Sequence, residues 1–229
     1  TGTVLAAIKM LFLNYSMDEE YQVVMAYRNV IGDHLFSQMW EPHQTSAFLC
    51  AIGIRVYLAV THTTTGIVIF LRVMGTIIHL GISVYCFKVM RRYLSPDYSF
   101  YLSLIYFNTI PKLIQIPEFG IMQVWFYTLS ILFFMEYYHH ESKRNKYLIF
   151  AGIVMSLEVL SYPSSIILFP FLQVMIMIMS GKRKWKDLFL FSGTCFLSGC
   201  IYLLCLLRNL SAEKLFRNIR NIVNSDSTH

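Results

Sequence analysis

Charge, and negative charge above all, is what this sequence has little of. Of its 229 residues, 13 are Asp or Glu and 19 are Lys or Arg, so that 14% are charged, where a soluble globular domain carries about 25%. With 56% hydrophobic residues and a mean hydropathy of +0.53, this shortage excludes an ordinary soluble enzyme. It points to a chain that covers its apolar surface with lipid. Cys50, Cys86, Cys195, Cys200 and Cys205 stand in apolar segments and form no CxxC pair, which speaks against a disulfide framework and a thiolate metal site. No P-loop, GxGxxG, HExxH or GxSxG is present, so ATPase and intramembrane metalloprotease classes have no motif to stand on. The net charge of +6 does not indicate nucleic acid, because Lys and Arg gather in short clusters between apolar runs, where the positive-inside rule accounts for them. A start methionine is also missing, an apolar run is under way by Val4, and residues 224–229 are polar. The chain is therefore expected to be a fragment of a longer protein, and the lack of a signal peptide carries no weight.

What is present is a series of apolar runs. Those at 1–15, 67–90, 98–110, 121–138, 147–160, 166–179 and 188–207 predict one all-α, polytopic membrane module over residues 1–229, with about seven transmembrane helices. The basic clusters Arg91-Arg92, Lys143–Lys146 and Lys182–Lys186 recur two spans apart, which assigns them all to the cytoplasmic face. Counting back sets the amino end inside, and the loop 16–66 and the segment 208–229 outside. The run 47–60 decides this count: 14 residues of helix give about 21 Å against a hydrocarbon core of about 30 Å. It is expected to dip in or lie at the interface; if it crossed, residue 18 would be cytoplasmic. That Arg28 is the only Lys or Arg between Met17 and Ser46 also favours an outer loop.

Acidic residues and histidines collect in that loop, in Ser16–Gln22 and Trp40–Ser46. Residues 18–31 read as an amphipathic juxtamembrane helix stopped by Gly32. Ser16-Met17-Asp18-Glu19 matches a capping box, which accounts for Glu19 and leaves Asp18 free to face a cavity. The segment with Trp40, Glu41, Pro42, His43, Gln44, Thr45 and Ser46 is either an anchored turn leading to a helix cap or a polar site in which His43 faces a phosphate. Arg55, Arg72, His79 and Glu158 lie within apolar runs and are functional candidates on that ground. Arg72 can snorkel outward or pair with an outer carboxylate, His79 suits a hydrogen-bonded core position, and Glu158 either lines the cavity of Asp18 or is structural. Glu118, between Pro117 and Phe119, reads as a surface carboxylate in a second outer turn.

An acidic pair after the first span (Asp18-Glu19), a juxtamembrane helix, the motif Trp40-Glu41-Pro42-His43-Gln44 before an interfacial helix, and Arg72 ahead of Arg91-Arg92 together resemble the GT-C superfamily of membrane glycosyltransferases. Within it the chain is similar to the protein O-mannosyltransferase and aminoarabinose-lipid A transferase branch, whose shared module has seven spans and a large first outer loop. The resemblance implies an integral protein of a bacterial plasma membrane with an extracytoplasmic active site. It implies a polyprenyl-phosphate sugar donor, a protein or glycolipid acceptor and no nucleic-acid partner. Asp18, with Glu19, matches the catalytic acidic position; Glu118 matches the second outer carboxylate only loosely, and Glu41-Pro42-His43 stands where the branch has a Lys-Pro-Pro-like segment. His43, Arg28, Arg72 and Lys112 are the candidates for the leaving phosphate, with Glu41, Gln44, Glu118 and Glu158 as further binding residues. No cofactor is indicated; the superfamily admits a divalent metal, but no ligand set for one stands out. A transporter or lipid flippase using Asp18, Arg72 and Glu158, or a non-catalytic assembly subunit, is the alternative.

Overall fold

The computed structural model describes residues 2–13, 16–39, 41, 43–110, 115–140 and 144–226. Among them the chain is helical and contains no named strand: α1 (Gly2–Leu11), α2 (Met17–Ile31), α3 (Phe48–Thr61), α4 (Ile67–Met90), α5 (Pro96–Asn108), α6 (Phe119–His139), α7 (Arg144–Ser161), α8 (Leu168–Met179), α9 (Lys184–Leu207) and α10 (Ala212–Asp226). Short 3-10 turns lead into α3 (Gln44–Ala47), α8 (Pro163–Ile167) and α9 (Gly181–Arg183). Four segments are long and apolar enough to cross a membrane by length and composition: Gln44–Thr61, Ile67–Met90, Phe119–His139 and Gly181–Leu207. The apolar helices Gly2–Leu11 and Pro163–Met179 are shorter. α5 has 13 residues, about 20 Å of helix, and α7 reaches 18 residues but carries Arg144, Lys146 and Glu158.

The first of the four departs from expectation. The run 47–60 is part of a helical segment of 18 residues, because Gln44, Thr45 and Ser46 form a helical turn rather than a solvated cap. Gln44 and Ser46 are fully buried. Ser46 Oγ donates to Gln22 Oε1 (3.1 Å) and the His43 carbonyl (2.7 Å), and Gln44 Oε1 accepts the Phe36 N–H (2.7 Å). Shortness therefore does not argue against crossing.

The chain forms two units, residues 1–122 with 218–229, and residues 123–217. In the first, Met25, Ala26, Cys50, Ala51, Ile54 and Leu71 make the core where α2, α3 and α4 meet. α5 runs antiparallel to α4, since Ser83 Oγ donates to Ser103 O (2.7 Å) and His79 Nε2 lies 3.2 Å from the carbonyls of Tyr106 and Phe107. With its proton on Nε2, His79 serves carbonyls of the last turn of α5, the structural role its place in an apolar helix suggested. Residues 115–117 then pass against α4 at Gly75, where an added Cβ would stand 1.8 Å from the Gln115 carbonyl oxygen.

This contact explains an isolated glycine in an apolar helix. Gly75→Ala gains up to about 1 kcal/mol of helix propensity, but its methyl must push backbone aside, which costs about 1–3 kcal/mol or more. A lower thermal midpoint is expected for Gly75→Ala, and none for Gly81→Ala, whose Cβ would meet nothing within 4 Å.

In the second unit Phe134, Tyr137, Leu148, Ala151, Met155 and Phe191 form the core. At one end of this bundle the buried Asp187 gathers Tyr137 OH (2.7 Å), Arg144 Nη2 (3.3 Å) and Arg183 Nη2 (3.4 Å), and Arg183 also donates to Asn145 Oδ1 (2.7 Å). The described parts of the two basic clusters that the sequence set on one face thus share one end of the unit. At the opposite end Gln123 Nε2 donates to Ser165 Oγ (3.2 Å), and Glu158, fully buried, lies close to Ser165.

Candidate functional site

The loop that holds the sequence-derived site is built on α2. Ser16 caps it, its Oγ accepting the Glu19 N–H at 3.3 Å, and Gly32, at φ 115°, ends it in the left-handed conformation, as the sequence predicts. Spacing sorts the acidic residues of its first turn: Glu19, Gln22 and Ala26 face inward and are buried, whereas Asp18 is half-buried and Glu20 exposed. Asp18 shares its face with Tyr21, one turn on. Burial, and then the charge of Glu41, push the Tyr21 phenol above its ordinary pKa, so this hydroxyl stays a donor at neutral pH.

Glu19 is more than a cap. Its carboxylate takes Arg72 in a two-pronged pair, Nε to Oε1 at 2.7 Å and Nη2 to Oε2 at 2.6 Å, and Arg72 Nη1 donates to the carbonyls of Leu11 and Leu13, each at 2.8 Å. Glu19 is 2% and Arg72 5% exposed. One guanidinium thereby ties the end of α1, the start of α2 and the first third of α4 together. Of the two fates open to Arg72, snorkelling and pairing, the second is realised.

The rest of the loop is organised by side chains the sequence named for substrate. Arg28 Nε pairs with Asp33 at 2.6 Å, Nη2 donates to Gln38 O at 2.6 Å, and Nη1 stands 3.9 Å from Glu41, so this arginine staples residues 33–41. His43 stacks on Phe119, centroids 4.6 Å apart. Glu118 is fully buried, not a surface carboxylate: its oxygens accept the N–H groups of Ile121 (2.6 Å) and Gly120 (2.8 Å), capping the positive end of α6. Arg55 is exposed and donates to Asn29 (3.1 Å). Glu158 lies in the second unit. Lys112, Trp40 and Pro42 fall outside the described residues.

Sequence reasoning missed the amide and thiol partners of this cluster. Gln22 Nε2 (3.2 Å) and Cys50 Sγ (3.4 Å) both donate to the Pro117 carbonyl, and Gln115, two residues before Pro117, is buried. A glutamine on the apolar stripe of α2 was the available signal, since a buried amide needs a partner. Among the described residues no three His, Cys, Asp or Glu side chains gather to hold a metal ion. Chemically, the arrangement offers a half-buried carboxylate, Asp18, on a helix whose start is fixed by an ion pair, with a phenol on the same face. Comparison with protein-family models, with curated proteins and with solved structures finds no match for this chain.

Proposed function

We propose that this chain is the amino-terminal module of a GT-C-type membrane glycosyltransferase, similar to the protein O-mannosyltransferase and aminoarabinose-lipid A transferase branch, in a bacterial plasma membrane. It moves a sugar from a polyprenyl-phosphate donor to a hydroxyl of a protein or glycolipid on the extracytoplasmic side. Asp18 is the general base: its carboxylate takes the acceptor proton as the acceptor oxygen bonds to the anomeric carbon. The bond from that carbon to the phosphate breaks with inversion, and polyprenyl phosphate leaves with the electron pair. The observation that carries the reading is the buried Glu19–Arg72 pair, which holds the first turn of α2 against α4; on this reading Asp18 meets the lipid-linked phosphate at the membrane surface. Glu19, with both oxygens on Arg72, positions Asp18 rather than reacting. Arg72 and Arg28 are committed to protein groups; His43, which stacks on Phe119, and Lys112 are the contacts proposed for the leaving phosphate.

The topology of the proposal has seven spans, with α1, α5, α7 and α8 added to α4, α6 and α9, and with α3 at the interface. Its support no longer comes from the length of α3. Asn218 Nδ2 donates to the Phe36 carbonyl, so the end of α10 packs with the first loop. What supports the topology is that Arg28 is the only Lys or Arg between Met17 and Ser46, as suits an outer loop.

Two experiments test this. Membranes holding the protein are given a panel of polyprenyl-phosphate sugars, and release of polyprenyl phosphate is expected from the native chain and lost in Asp18→Asn; equal release by both sinks the base assignment. Separately, Asp18→Cys should react with a membrane-impermeant maleimide from outside, and labelling from the cytoplasm alone overturns the topology. A transporter, flippase or assembly subunit would release no polyprenyl phosphate in any variant.

A further inference from the structure

We propose that the basic end of the second unit is a binding site for the headgroup of an anionic phospholipid. Two features meet there. The first is a rigid base: Asp187, fully buried, is held by Tyr137 OH, Arg144 and Arg183, Arg144 lies over the Tyr137 ring at 4.4 Å, and the Ser180 and Tyr137 hydroxyls are hydrogen-bonded. One carboxylate faces two guanidiniums there, and the buried Glu136 beside Tyr137 has His140 at 3.4 Å, so the excess positive charge of this end comes from its lysines. Around it Lys146, Lys182, Lys184 and Lys186 are exposed, with no carboxylate other than Asp187 among residues 180–190.

The second feature selects lipid over a soluble anion. Trp185, Phe189 and Phe196 recur on one face of α9 and are 58%, 71% and 74% exposed. A stripe of exposed aromatics on a helix long enough to cross a membrane faces acyl chains, and a tryptophan at its end marks the headgroup level. Lys184 and Lys186 flank Trp185, so the ammonium groups stand at the depth of the lipid phosphates. Positive-inside sorting alone requires the charges but neither the locked arginines beneath them nor the aromatic stripe beside them; basic clusters at this level are suited to anionic headgroups. The proposal does not depend on the transfer reaction, and failure of either leaves the other standing.

The test uses the purified protein in neutral detergent, its thermal midpoint followed while phosphatidylglycerol, phosphatidylcholine or inorganic phosphate is added. Phosphatidylglycerol is expected to raise the midpoint at concentrations where the other two do not. The triple variant Lys182→Gln, Lys184→Gln, Lys186→Gln should need about ten- to a hundredfold more phosphatidylglycerol for the same rise. Equal rises with phosphatidylcholine or with inorganic phosphate, or an unchanged response of the variant, overturn the site. If the variant does not fold, the native protein decides: 1 M salt shortens the screening length from about 10 Å to about 3 Å and must abolish the lipid-specific rise, whose persistence would reject the proposal.

Discussion

Arg72→Leu is expected to destabilise the first unit by about 3–5 kcal/mol, read as a lower midpoint for unfolding in mixed detergent. The figure is that for removing one partner of a buried ion pair, where the cost is dominated by the charge left behind. Here the stranded group is Glu19, whose two oxygens lose donors at 2.7 and 2.6 Å, and the carbonyls of Leu11 and Leu13 lose theirs as well. Arg72→Lys should fall between, since a single ammonium cannot bridge both carboxylate oxygens and two carbonyls in the planar geometry of a guanidinium. The double variant Glu19→Leu, Arg72→Leu should recover most of the loss, because replacing a buried pair by apolar groups of similar size is often near neutral. If Arg72→Leu melts with the native protein, the joint between α1, α2 and α4 is held by something else.

Local rules read the local features of this chain correctly. Ser16 and Gly32 mark the ends of α2 because capping and the left-handed stop are decided within one helical turn. The described parts of the two later clusters of Lys and Arg also share one end of the second unit, where Arg183 reaches Asn145. What stayed hidden is long-range pairing. Glu19 satisfies a capping pattern three residues from Ser16, and nothing in that pattern reveals a guanidinium 53 residues away. Glu118 sits in a turn rich in proline and glycine, the usual surroundings of a solvated side chain, yet it is buried as the cap of α6. Gln44 and Ser46 read as part of an anchored turn leading to a helix cap or of a polar site, and they are instead buried in a helical turn that lengthens the segment by four residues before Phe48. For Glu19, Gln44 and Ser46 a partner comes from another part of the fold, which tertiary packing fixes, whereas Glu118 is satisfied by its own helix start and stayed hidden because the turn that carries it is packed inside.

Asp18→Asn is expected to lower transfer by about 10²–10⁴-fold, the range for loss of a positioned general base, with the thermal midpoint unchanged. The two halves of this expectation are separable because neighbouring carboxylates differ in burial. Asp18 is half-buried, so its amide replacement costs the fold less than that of Glu19, which is 2% exposed and bound to Arg72, where Glu19→Gln weakens both the fold and the placement of Asp18. On the proposed chemistry, activity in Asp18→Asn falls at full stability, whereas activity in Glu19→Gln falls together with the midpoint and returns in part at lower temperature. Asp18→Glu discriminates further: it keeps a carboxylate but moves it by one methylene, and should retain more activity than Asp18→Asn while matching it in stability. A pattern in which Asp18→Asn and Asp18→Glu lose activity only as far as they lose stability would make Asp18 a structural residue. The base would then have to be sought among the other polar groups of the first loop.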